Sequence, residues 1–95
     1  MTPNQIELVR HALGLNYRNK SFRNHFVAGK THSDYPAWIM LVESGDAGVK
    51  HTHHLSAGDS CFWATEKGAK AVLKKGESLC AEDFPPTESK DANTI

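Results

Sequence analysis

Residues 62–73 read FWATEKGAKAVL, and the local rules of folding change halfway along them. Phe62, Trp63 and Ala64 have the aromatic character of a strand end. Thr65 is a good helix N-cap, and Glu66 follows where the positive end of a helix dipole favours an acid. Ala69, Val72 and Leu73 then recur at helical spacing. Lys70, Lys74 and Lys75 sit where cations suit a helix C-terminus, and Gly76 is the predicted stop. A strand that becomes a helix across one residue requires a domain in which sheet and helices share a core, so the expected class is α+β.

The rest of the chain supplies partners for that junction. Thr2, Pro3 and Gln5 spell a capping box with proline at the first helical position. Ile6, Leu8, Val9, Ala12 and Leu13 then form an apolar stripe that Gly14 ends. A second helix is predicted from Ser33 or Asp34, with Pro36 near its first position and Gly45 as its close. Trp38, Ile39, Leu41 and Val42 make that helix mostly core, while Tyr35, directly before proline, is expected to be extended. Ala47 to Leu55 reads as an outgoing strand, residues 56–59 as a turn, and Ser60 to Ala64 as the returning strand.

Residues 16–32 break the helical pattern and contain Arg18, Lys20, Arg23 and Lys30 without one acid. Phe22 and Phe26 are expected to anchor this segment to the core, with a short strand or irregular arm over residues 20–27. Leu79 and Phe84 are expected to dock back onto the body. The 95 residues suit one domain over 1–84, followed by a disordered acidic tail over 85–95.

Charge divides the chain more sharply than hydropathy does. Residues 1–75 carry ten Lys and Arg against six acids, a surplus of four positive charges. Residues 76–95 carry one Lys against five acids, which cancels that surplus. A basic body of this kind suits a polyanion such as double-stranded DNA, or an acidic protein surface. No apolar run approaches the ~18 residues of a membrane span, and the N-terminus has no signal-peptide pattern. A cytoplasmic protein with reduced Cys61 and Cys80 is expected.

The order helix, basic segment, helix, hairpin, helix gives the opening stretch a context. A second hairpin strand carrying an aromatic, then Thr-Glu-Lys-Gly, then an alanine-rich helix resembles the wing region of MarR- and PadR-type winged-helix regulators. The resemblance covers residues 39–73, with LVESGDAGVK as the exit from the last core helix into the wing. It implies a small winged-helix-like domain in which Trp63 is the strand aromatic, Thr65 the cap and Gly68 the site of close strand–helix approach. More loosely, RNHFVAG, DYPAW and LVESG resemble small phage and prophage proteins, a resemblance that carries no activity with it. One departure stands out. The helix in the recognition position, YPAWIMLVES, is nearly all apolar and lacks the Arg, Asn and Gln side chains that read base edges.

Three kinds of chemistry compete for the remaining polar residues. Lys50, His51, His53 and His54 form the densest cluster, and on a strand His51 and His53 share one side. His25, His32, Cys61 or Cys80 could complete a zinc shell around them. Zinc sites usually combine two tight ligand pairs and only one is present, so no metal is expected. Cys61 beside Phe62 and Trp63 reads as a packed thiol rather than a nucleophile. No phosphate-cradling glycine loop, nucleotide fingerprint or paired acids appear, so neither an enzyme nor a cofactor is expected. Binding remains. The predicted nucleic-acid contacts are Arg18, Lys20, Arg23 and Lys30 with Lys50, His51, His53 and His54 on the wing. The rival reading is a protein-interaction module presenting Tyr17, Trp38 or Phe84.

Overall fold

A computed structural model describes residues 1–52 and 59–84. It has the order α1 (Pro3–Leu13), β1 (Phe26–Gly29), α2 (Tyr35–Glu43), β2 (Ala47–Thr52), β3 (Asp59–Ala64), α3 (Glu66–Ala71). The three strands form one antiparallel sheet in the order β1-β3-β2, so β3 is central and the other two are edges. The α+β class expected from the strand-to-helix junction is therefore present. Residues 53–58, with His53, His54 and the first three residues of the predicted turn, and the predicted tail 85–95 lie outside the described residues, while Asp59 begins β3 rather than closing the turn.

α1 forms as its capping box dictates. Gln5 N–H donates to Thr2 Oγ1 at 3.1 Å, and Thr2 N–H donates to Gln5 Oε1 at 3.0 Å. Such a cap contributes about 1 kcal/mol. The helix stops at Gly14, whose φ of 81° is the left-handed conformation that glycine adopts cheaply. The Phe22 ring lies directly on Gly14, where any Cβ would collide with it. Phe22 thus anchors its segment as expected, but from outside, remaining 42% exposed.

The helices cover one face of the sheet. Leu8, Val9, Ala12 and Leu13 of α1, Trp38 and Leu41 of α2, and Ala69 of α3 meet Ala28, Ala47, Phe62 and Ala64 of the strands. Trp38 stacks on Phe62 with centroids 5.4 Å apart, and Phe26 and Tyr35 close the cluster at 5.4 and 5.7 Å. Burying each large side chain contributes about 1.5–3 kcal/mol. Leu79 and Phe84 pack against this core as expected. Trp38 is fully buried, which removes it from any partner-facing surface.

The junction after β3 is clamped onto the α2–β2 corner. Thr65 N–H donates to Asp46 O at 3.1 Å, Thr65 Oγ1–H donates to Gly45 O at 2.7 Å, and Thr65 Oγ1 accepts from Gly68 N–H. A Cβ on Gly68 would run into the Asp46 carbonyl, so close approach here requires glycine. Lys67 adds a bond from Nζ to Ser44 O at 2.7 Å.

Three local expectations are corrected. Tyr35 is the first residue of α2 rather than extended; its N–H donates to His32 O, and its ring packs edge-on against Phe62. Tertiary packing outweighs the restriction before proline. α2 is also less enclosed than its composition suggests, with Met40 57% exposed. α3 ends at Ala71 instead of continuing to Lys75. Arg10 takes the Val72 carbonyl and Glu77 takes the Lys74 N–H, so side chains satisfy backbone groups that another helical turn would have used.

Candidate nucleic-acid interface

The acid-free segment leaves α1 as a loop, and two of its cations, Arg18 and Arg23, pack on its own aromatics. Arg23 donates from Nε and Nη2 to the His11 carbonyl at 3.2 and 2.7 Å, which supplies a cation to the C-terminal end of α1. Its Cζ lies 5.6 Å from the Tyr17 ring centroid and 5.3 Å from that of Phe22. Arg18 Cζ lies 4.7 Å from the Phe22 centroid. The contacts run Tyr17–Arg23–Phe22–Arg18, alternating ring and guanidinium. Each is worth about 0.5–1 kcal/mol at an exposed site. Tyr17 is 68% exposed and Arg18 is also exposed, so the series opens to solvent at both ends.

Lys20 extends this group by a second route. It forms an isolated parallel bridge with Ser78, supported by Ser21 N–H to Ser78 O at 3.0 Å and Ser78 N–H to Asn19 O at 2.9 Å. The exposed Lys74 and Lys75 lie four and three residues before Ser78 in the chain. Glu77 lies between them but is spent elsewhere. Its two carboxylate oxygens accept from Arg10 Nη1 and Nη2 at 2.6 and 2.7 Å, a bidentate pair with both side chains buried. Those bonds, helped by the Lys74 N–H, lower the Glu77 pKa to about 2. The same bonds raise that of Arg10 against the opposing cost of burial. The Cys80 N–H is tied to Ser21 Oγ at 2.7 Å, and the exposed Glu82 and Asp83 follow it in the chain.

The other predicted contacts lie elsewhere. The Asn24 side chain pairs with both backbone groups of Ala64, placing Arg18, Lys20 and Arg23 toward that end of β3. Lys30 follows Gly29, which pairs with Asp59 at the opposite end, about 17 Å away along the strand. Lys50 pairs with Cys61 on the far side of β3 from Val27, about 10 Å across the sheet from β1. His51 Nδ1 is 2.6 Å from Ser60 Oγ. Lys30, Lys50 and His51 therefore do not join the Arg18–Lys20–Arg23 group. Among the described residues no cluster of His, Cys, Asp or Glu could hold a metal ion, and no helix is long and apolar enough to cross a membrane.

Among the described residues the ion pairs engage Arg10, His32, Lys67 and Lys70, leaving Arg18, Lys20, Arg23, Lys74 and Lys75 outside any pair. A surface of unpaired cations with exposed rings among them can bind phosphates electrostatically and flat groups by stacking. The cations at 18, 20 and 23 were legible from the acid-free run. Tyr17 and Phe22 as parts of the same surface were not, because their placement depends on the cap at Gly14. Compared with known protein families, curated proteins and solved structures, this chain matches none.

Proposed function

We propose that this protein binds nucleic acid through the basic surface at the C-terminal end of α1, acting as a small accessory or regulatory protein without catalysis. The observation that carries this reading is the unpaired cation group at Arg18, Lys20 and Arg23, interleaved with the exposed Tyr17 and Phe22. The winged-helix reading draws support from the sheet order β1-β3-β2 and the β2–β3 pairing, which would make the hairpin the wing. Within that reading α2 gives its buried face to the core through Trp38 and Leu41 and offers no basic side chain. Affinity would therefore come from phosphates, with a steep salt dependence and little sequence choice.

The test is a salt titration of oligonucleotide binding by the unmodified protein and by a variant carrying Arg18→Ala, Lys20→Ala and Arg23→Ala. Loss of affinity together with a flatter salt slope is expected. Arg18→Ala with Lys20→Ala alone provides a version that keeps the Arg23 bonds to His11, so a folding defect is separated from a binding defect. Absence of binding to any nucleic acid at low salt would discard the reading.

A second reading, a protein-interaction module, has its own observation. The sheet face opposite the helices carries Val27, 55% exposed, and Trp63, 36% exposed, with Cys61 between them on β3. Val27→Asp would abolish a protein contact there and leave nucleic-acid binding unchanged.

A further inference from the structure

We infer that the α1 surface takes single-stranded nucleic acid and holds it partly by stacking unpaired bases on Tyr17 and on the Arg18 guanidinium. This rests on the nucleic-acid reading above and goes beyond it by naming the form of the ligand. A duplex hides its base faces and offers such a surface only phosphates, whereas a single strand offers phosphates and π faces together. The contacts running Tyr17–Arg23–Phe22–Arg18 already alternate rings and guanidinium groups within cation–π range. Arg23 is fixed from behind by two bonds to the His11 carbonyl, and Phe22 is seated on Gly14. The two inner members are thus held by the body of the protein, and the two outer members are exposed. A base added on Arg18 would continue the alternation, and one added on Tyr17 would stack ring on ring.

Charge points the same way. No acid occurs between Glu7 and Asp34, so the loop itself presents nothing to repel a phosphate backbone. Lys20, two residues from Arg18 and exposed, would provide a phosphate contact beside the aromatic–guanidinium series. Cations flanking solvent-facing rings are what a sequence-tolerant single-strand site needs, because every base has a π face.

The experiment compares three probes of equal length, about 15 nucleotides, by fluorescence anisotropy at low salt. They are a thymidine oligonucleotide, an abasic oligonucleotide with the same phosphates, and a blunt duplex of mixed sequence. The thymidine strand is expected to bind about tenfold or more tighter than the abasic strand, as one stacked base predicts. It is also expected to bind tighter than the duplex. Tyr17→Leu, at a largely exposed position, is expected to lose that advantage, while Tyr17→Phe keeps it. Arg18→Lys, which keeps the charge and removes the plane, is expected to weaken thymidine binding severalfold more than abasic binding.

Equal affinity for the thymidine and abasic strands, or an unchanged affinity in Tyr17→Leu, would overturn the stacking inference while the basic-surface reading stood. Tighter binding of the duplex would do the same. No binding of any probe would overturn both.

Discussion

Arg10 and Arg18 lie eight residues apart and do opposite work with the same side chain. Arg10 is 4% exposed, points inward, and spends its guanidinium on Glu77 and the Val72 carbonyl. Arg18 is exposed, rests on the Phe22 ring and belongs to no ion pair among the described residues. One guanidinium ties the turn after α3 to α1, and the other is left at the surface. The difference shows that sequence neighbourhood and residue type do not decide an arginine's role. What decides it is whether a carboxylate arrives from elsewhere in the fold, and Glu77 arrives from 67 positions away.

Breaking the inward pair should have the largest effect. Glu77→Gln leaves Arg10 as a buried cation without its counter-charge, and a loss of about 3–5 kcal/mol is expected in denaturant unfolding. That is a large share of the ~5–15 kcal/mol available to a domain of this kind. The corresponding change at the outward arginine, Arg18→Ala, should cost less than about 1 kcal/mol of stability while weakening oligonucleotide binding. A result in which both variants lose similar stability would erase the distinction drawn here.

Acid sharpens the comparison, because only the inward arginine depends on a carboxylate. The folded-state pKa of Glu77 lies below its unfolded value, so its contribution is fully present above the ordinary carboxylate range. It is lost as pH falls from that range through the folded value of about 2. Unfolding midpoints of the unmodified protein should therefore fall through this window more than those of Glu77→Gln, which has no proton to take up there. Parallel curves would show that the pair contributes little. The smallest effect is expected at Lys50, on the opposite edge of the sheet, where Lys50→Ala should change oligonucleotide affinity by less than about twofold.

Local signals were legible in the chain wherever the residues that matter are neighbours. Thr2 and Gln5 announced the start of α1, Gly14 its end, and Thr65 with Gly68 the switch from strand to helix. What the chain concealed depends on residues that meet only after folding. Composition placed Arg10 on a helix but not under Glu77, and it extended α3 past the point where that pair diverts the backbone. Tyr35 begins its helix because Phe62 receives its ring, a contact with no local signature. At the candidate site the cations could be counted in advance. Their division into a group near Ala64 and others at the opposite end or far edge of the sheet required the register of β1 and β2 against β3.

Asn24 has a consequence for how long the molecule keeps its form. Its side-chain amide donates to the Ala64 carbonyl at 3.0 Å and accepts from the Ala64 N–H at 2.8 Å, imitating one more peptide unit of β1. Spontaneous hydrolysis of that amide would keep the acceptor and replace the donor with an anionic oxygen facing a carbonyl. The chain would then lose half of its last rung beside β3, and the loop carrying Arg18, Lys20 and Arg23 would acquire a negative charge at its root. If the proposed site binds nucleic acid, a sample ageing in this way would lose oligonucleotide affinity.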